Sequence, residues 1–173
     1  MKKLAIFSML TLLGMAFLTS CKKEGDKEWS KFYGYTNEDI VGQYAFSSLS
    51  DAFSGLIESD EGHLCYDAQV SVSSTGAQTV LFHMASPSRN FQRNFSGLPK
   101  RNAGDFLISM YSGWFNLKRF NVTADVMKND QSTVRLKGYV SEDHYVRVYN
   151  VEAARYDTVY DYSIKYYFDV IKN

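Results

Sequence analysis

Near its end the chain reads TVYDYSIKYYFDVIK, Thr158–Lys172, and this segment restricts the fold more than any other. Tyr160, Tyr162, Ile164, Tyr166, Phe168 and Val170 recur at every second position, opposite Asp161, Ser163, Lys165 and Asp169. A helix would scatter these six around its circumference, whereas a strand places them on one face. A terminal strand with one wholly apolar face must be covered by other strands, so this one is expected to complete a sheet.

Earlier segments supply the partners. Leu64, Tyr66, Ala68, Val70 and Val72 alternate with Cys65, Asp67, Gln69, Ser71 and Ser73. After a turn at Ser74, Thr75 and Gly76 the segment AQTVLFHM returns with Val80, Phe82 and Met84 on one face. Strand signal resumes in DFLISMY and in WFNLKRFNVTADVM, where Phe120, Val122, Ala124 and Val126 share a side. KNDQ forms a hairpin turn into STVRLKGYV, and YVRVYNVEA follows as a further strand. IVGQYAF, residues 40–46, opens the series, and Ser50–Ser59 has the N-cap and apolar spacing of a short helix. Aromatics make up 16% of the residues, and only two prolines interrupt them, which favours strands.

The expected fold class is therefore mainly β. It is an antiparallel up-and-down meander of roughly eight strands forming a closed or nearly closed barrel, with a two-sheet β-sandwich as the alternative. The order is similar to the calycin and lipocalin-like barrels: DIVGQY resembles their Gly-x-Tyr/Trp opening strand through Val41, Gly42, Gln43 and Tyr44. Such barrels imply either an interior filled by side chains or a cavity for one small ligand.

The other end of the chain gives an address. Lys2 and Lys3 precede an apolar run from Leu4 to Leu18, a signal peptide too short to span a bilayer comfortably. Its end, Leu18-Thr19-Ser20-Cys21, resembles a bacterial lipobox. That resemblance implies cleavage before Cys21, lipid on Cys21, and permanent attachment to a membrane. Residues 1–20 are then the signal peptide, 21–38 the lipidated cysteine and a polar tether, and 39–173 one β-barrel domain. Lys22 at the second mature position is similar to outer-membrane lipoproteins, and Lys22, Lys23, Glu24 and Asp26 to the export signals of Bacteroidetes-type surface lipoproteins. These imply the periplasmic or cell-surface face of the outer membrane.

Removing Lys2 and Lys3 leaves 17 of the 19 Lys and Arg against 19 Asp and Glu. A mildly acidic chain outside the cytoplasm has no general attraction for nucleic acid. With Cys21 claimed by lipid, Cys65 is alone, so no intramolecular disulfide supports the mature domain.

Candidate binding residues centre on RNFQRNF, residues 89–95. Its repeat at a spacing of four would put Arg89 beside Arg93 and Phe91 beside Phe95 on a helix. It falls in a stretch between strands, Ala85 to Gly104, with no acidic residue up to Gly104. A loop there reads as a lid: Phe91 and Phe95 plug one barrel end while Arg89 and Arg93 face an acidic ligand or anionic headgroups. The plainer reading is a solvated loop with both phenylalanines tucked into the core. Tyr162 and Tyr166, on an inward face with Phe82, Phe120 and Phe168, would offer hydroxyls to an amphiphilic ligand.

The chain carries no nucleophile elbow, phosphate loop or His-Glu-x-x-His pair, and His63, His83 and His144 lack metal-ligand spacing, so no catalytic residue, cofactor or metal is assigned. Glu58, Asp60 and Glu61 read as a solvated loop. The leading expectation is a non-enzymatic, membrane-anchored lipoprotein binding a small hydrophobic or amphiphilic ligand or a partner protein. The second is a glycan-binding accessory module of a surface nutrient-uptake system, using outward aromatics such as Tyr139, Tyr149 and Tyr167. The third is an enzyme whose site is assembled from distant residues.

Overall fold

The computed structural model describes residues 28–47, 53–101 and 106–173. The expected signal peptide, Cys21 and most of the tether lie outside these residues. The protein is mainly β, and the described residues form ten strands. They are β1 (Ser30–Lys31), β2 (Gly42–Phe46), β3 (Gly62–Leu64), β4 (Gln69–Ser74), β5 (Val80–Ser86), β6 (Phe91–Gly97), β7 (Ile108–Phe115), β8 (Lys118–Lys128), β9 (Val134–Asn150) and β10 (Arg155–Lys172). One helical turn, α1 (Asn37–Ile40), precedes β2. Thr36 starts it as half of a capping box: its hydroxyl accepts from Asp39 N at 3.3 Å, and Asp39 Oδ2 accepts from Thr36 N at 2.6 Å.

Consecutive strands pair antiparallel from β4 to β6 and from β7 to β10. β2 joins the two halves by pairing with both β10 and β4. β3 alone runs parallel, against Lys165–Tyr167 of β10. The sheet is not closed by a ladder. Its open ends are β6 on one side and β1 and β7, both paired to β8, on the other; β6 and β7 lie side by side, and among the described residues a single bridge joins Lys100 to Ser109.

Turn chemistry fixes the hairpins. Asn116 and Leu117 both take positive φ, 48° and 59°, as a two-residue turn of matching twist requires. Asn129 Oδ1 accepts from the backbone N of Gln131 and Thr133, and Asn150 Oδ1 from Ala153.

The inner face is packed with Ile40, Val70, Phe82, Met84, Phe95, Val122, Leu136, Phe168 and their neighbours. Phe82 lies at the centre, 6.1 Å from the Phe95 ring and 5.9 Å from Phe168. Each such side chain contributes roughly 1.5–3 kcal/mol by leaving water. Gly138, between Ala124 and Phe168 in register, lets β8 and β9 approach closely: a Cβ there would sit 2.1 Å from Thr123 O.

Four expectations need correction. The described part of the proposed helix, Phe53–Ser59, is a turn at Phe53–Gly55 followed by irregular chain and a bridge from Ser59 to Gly62, because Gly55 at φ 80° interrupts the run. The strand expected from Leu64 breaks into β3 and β4. Asp67 leaves the ladder to accept from Ser86 Oγ at 2.5 Å and Ser88 N at 2.6 Å, and Tyr66 turns outward. The loop expected over Ala85–Gly104 contains β6. A spacing of four is also a multiple of two, so Phe91, Arg93 and Phe95 share a side of β6, while Arg89 lies in the 3-10 turn Pro87–Arg89 before it. Finally, Ser141–His144 does not separate two strands: β9 runs through it for 17 residues.

Candidate functional site

Two surfaces arise where β7 to β10 extend past the packed core. The first is on the inner face. Glu142 of β9 is buried, with Lys118 Nζ of β8 at 2.6 Å. His144 Nε2 is 3.0 Å from the same carboxylate, within ion-pair range but off the line of a hydrogen bond. His144 stacks on Tyr162 with ring centroids 4.2 Å apart. Tyr166 stacks on Phe91 at 4.1 Å. Burial pushes the Tyr166 hydroxyl's pKa up, reinforced by Glu142 and Cys65 and opposed by Arg93.

Arg93 projects between Phe91 and Phe120, with its guanidinium 4.3 Å from the Phe120 ring centroid. Its Nη1 donates to Gln92 O, while its buried Nε has no hydrogen-bond partner. In front of it is a cleft of about 250 Å³, lined by Arg93, Ser112, Gly113, Trp114, Phe115 and Phe120. Two other open grooves, of about 460 and 490 Å³, flank α1 and are lined mostly by polar residues.

The structure thus gathers most of the residues singled out in the sequence. Phe91, Arg93 and Tyr166 form one cluster, and Tyr162 adjoins it through His144 and Glu142. Arg89 is tied to Glu58 at 2.9 Å and donates to Leu64 O. Phe95 is fully buried against Phe82 and faces no opening. The thiol of Cys65 is also buried, which raises its pKa to about 11.

The second surface is on the outer face. The periodicity of Thr158–Lys172 put Tyr160 with Tyr162, but a bulge at Asp161 turns Tyr160 to the opposite side. There it pairs with Tyr145, their rings 5.8 Å apart. Trp114 lies 4.7 Å from Tyr145 on the other side. Further along the same hairpin Tyr149 and Tyr156 pair at 5.2 Å. Trp114, Tyr160, Tyr149 and Tyr156 are 51–68% exposed, values reserved for large rings with little to pack against.

Polar groups line the inner end of this row. Asp143 accepts from Asn121 Nδ2 at 2.9 Å and from Ser163 Oγ at 2.8 Å, and the Arg119 guanidinium lies 5.2 Å from the Tyr111 ring. Of the outward aromatics expected, Tyr149 belongs to the row, while Tyr139 and Tyr167 pack on each other at 5.7 Å closer to the core. Trp114, Tyr145, Tyr156 and Tyr160 were missed. Following the alternation of YVRVYN back through Ser141 and Asp143 would have placed Tyr139, Tyr145 and Tyr149 on one face.

Aromatic faces beside fixed carboxylate, amide and guanidinium groups can stack on the C–H face of a sugar ring while hydrogen-bonding its hydroxyls. The inner cleft instead offers one cation within aromatic walls. Among the described residues no cluster of His, Cys, Asp or Glu has the arrangement to hold a metal ion. No protein-family model, no curated protein and no solved structure matches the chain.

Proposed function

We propose that this protein is a non-enzymatic lipoprotein, anchored to the outer membrane through Cys21, that binds glycan on its outer aromatic face. In this reading the sheet is a lipocalin-like, nearly closed barrel with β6 against β7, and its filled interior serves as a scaffold. The observation that carries it is the exposed row Trp114–Tyr145–Tyr160 with Tyr149–Tyr156 beyond it, bordered by Asp143, Asn121 and Arg119. Tyr145 to Tyr149 spans about 13 Å of strand, a length that favours a chain of sugars over a single one.

Affinity electrophoresis through gels cast with starch, mixed-linkage β-glucan or xyloglucan tests it. At least one polysaccharide should retard the protein, and Trp114→Ala with Tyr160→Ala should weaken retardation about tenfold or more, since each stacked ring contributes roughly 0.5–1.5 kcal/mol. No retardation by any glycan, or equal retardation of the variant, would refute it. Loss of lipid incorporation in Cys21→Ser is the corresponding test of the anchor.

One observation favours a second reading. Arg93, with its buried Nε unsatisfied, opens into the aromatic cleft and suits an anionic amphiphile such as a fatty acid. Native mass spectrometry of the chain with added laurate or dodecanol separates the two readings: laurate alone should be retained, and lost in Arg93→Gln.

A further inference from the structure

β10 is 18 residues long, and β9 covers one edge for its whole length. The other edge is shared by β3 at Lys165–Tyr167 and β2 at Val170–Lys172. From Arg155 to Ile164 that edge has no strand partner among the described residues, and its outward N–H and C=O groups form no ladder. Sheet proteins usually protect such an edge with proline, lysine or a covering loop. This stretch, RYDTVYDYSI, contains no proline and no lysine, and the bulge at Asp161 comes only near its end.

The hairpin that carries the edge exposes apolar side chains on both faces. Tyr149, Tyr156 and Tyr160 are exposed on its outer face, and Val146, Val148 and Val159 are 40–49% exposed on its inner face. A two-stranded hairpin reaching into water is marginal by itself, and additional strands stabilise it.

We infer that the occupant of this edge is the same edge of a second copy, giving a two-fold dimer with a continuous strand order β9-β10-β10-β9. The proposal does not rest on glycan binding. An antiparallel pair related by a two-fold axis through the sheet keeps every side chain on its own face, so only registers with one residue opposite itself are allowed. With Thr158 on the axis, Arg155 lies opposite Asp161 of the other copy, twice, and Tyr156 lies opposite Tyr160, twice. Opposite charges and aromatic pairs facing each other across strands each stabilise a sheet. Moving the axis to Val159 puts Asp157 against Asp161 twice, a like-charge arrangement that disfavours the pairing. Of these two registers the edge sequence favours the one centred on Thr158. Arg155 is 72% exposed and already 2.9 Å from Asp157, so its guanidinium is placed to bridge both carboxylates.

The test uses the mature chain from residue 21 with Cys21→Ser. Sedimentation equilibrium should show a monomer–dimer equilibrium across the micromolar to submillimolar range. Arg155→Asp or Asp161→Arg alone should weaken the dimer about tenfold, and the two together should restore it, because the reversed charges again face each other. Thr158→Cys should cross-link to its own copy under copper-phenanthroline, which takes up the two electrons as the disulfide forms, whereas Ser96→Cys on β6 should not. Slow reaction of buried Cys65 with maleimide reports that each variant is folded. A monomer at all concentrations, a double variant as weak as the single ones, or cross-linking through Ser96→Cys in preference to Thr158→Cys would each overturn the proposal.

Discussion

Arg135 and Asp169 lie on the outer face of β9 and β10, yet both are buried, with side chains 5% and 0% exposed. Arg135 donates through Nε at 2.6 Å and Nη2 at 2.5 Å to the two oxygens of Asp169. Replacing Arg135 by Met removes both bonds and the contact of the guanidinium with the Trp29 ring, 5.4 Å away. It leaves a carboxylate inside the protein with Lys137 Nζ, 3.8 Å away and partly in water, as its remaining cation. Breaking a buried pair on one side typically costs about 3–5 kcal/mol. For a domain of this size that is a fall in Tm of roughly 6–20 °C, and it is a large part of the 5–15 kcal/mol that holds a typical protein folded. The double change Arg135→Met with Asp169→Leu removes the stranded charge as well and should recover most of the loss, because replacing both partners of a buried pair by apolar groups is often near neutral. Urea denaturation of the three variants measures this. If Arg135→Met loses less than about 1 kcal/mol, or the double variant is no better than the single one, the argument that an uncompensated buried charge sets the cost is wrong.

Two further outcomes follow from the packed interior. Gly138→Ala should destabilise by about 1–3 kcal/mol or more, since its Cβ would meet backbone atoms of Thr123 and Ala124 that cannot rotate away; a urea midpoint equal to wild type would contradict the close approach of β8 and β9. Cys65 in the folded state has a pKa of about 11 against an ordinary 9.0, because burial disfavours the thiolate. A raised pKa leaves stability unaffected below the unfolded value and lowers it as pH climbs between the two, here from about 9 to 11, by up to about 3 kcal/mol. Cys65→Ala should flatten that part of the wild-type profile of urea midpoint against pH. The raised pKa values of Tyr35 and Tyr166 continue the decline above pH 10 in both proteins.

Period-two patterning carried most of the fold. The faces of β5, β8 and the core part of β10 follow directly from alternation, because both β8 and β10 put one face against Phe82 and its neighbours. What alternation could not show was where it breaks. The bulge at Asp161 moves Tyr160 from the inner to the outer face without changing the sequence pattern, and so hid the aromatic row. Ser141–His144 looked like a gap because it is polar, yet three of its four polar side chains are hydrogen-bonded across the sheet, Asp143 by Asn121 and Ser163, Ser141 by Asn121 and Glu142 by Lys118, and His144 stacks on Tyr162. RNFQRNF was ambiguous because its spacing suits both a helix face and a strand face. Only pairing with β5 decides between them, and pairing partners are not written in a local segment. Phe91, Arg93, Tyr166 and the inward-facing Phe120 were legible in the sequence, whereas Trp114 joined them only through the β7–β8 hairpin.

The position of β2 sets the order in which the protein can assemble. Gly42–Phe46 is made early, yet its partner on one side is Val170–Lys172, at the very end of the chain. The hairpins of β4–β6 and of β7–β9 can form as soon as they are made, but the seam that joins them waits for the final residues. Contacts between the two ends of a chain close slowly, because the loop-closure entropy is met before the contacts form. Until β10 reaches β2 the two groups of hairpins stay unjoined, so the sheet gains its last seam in one late step.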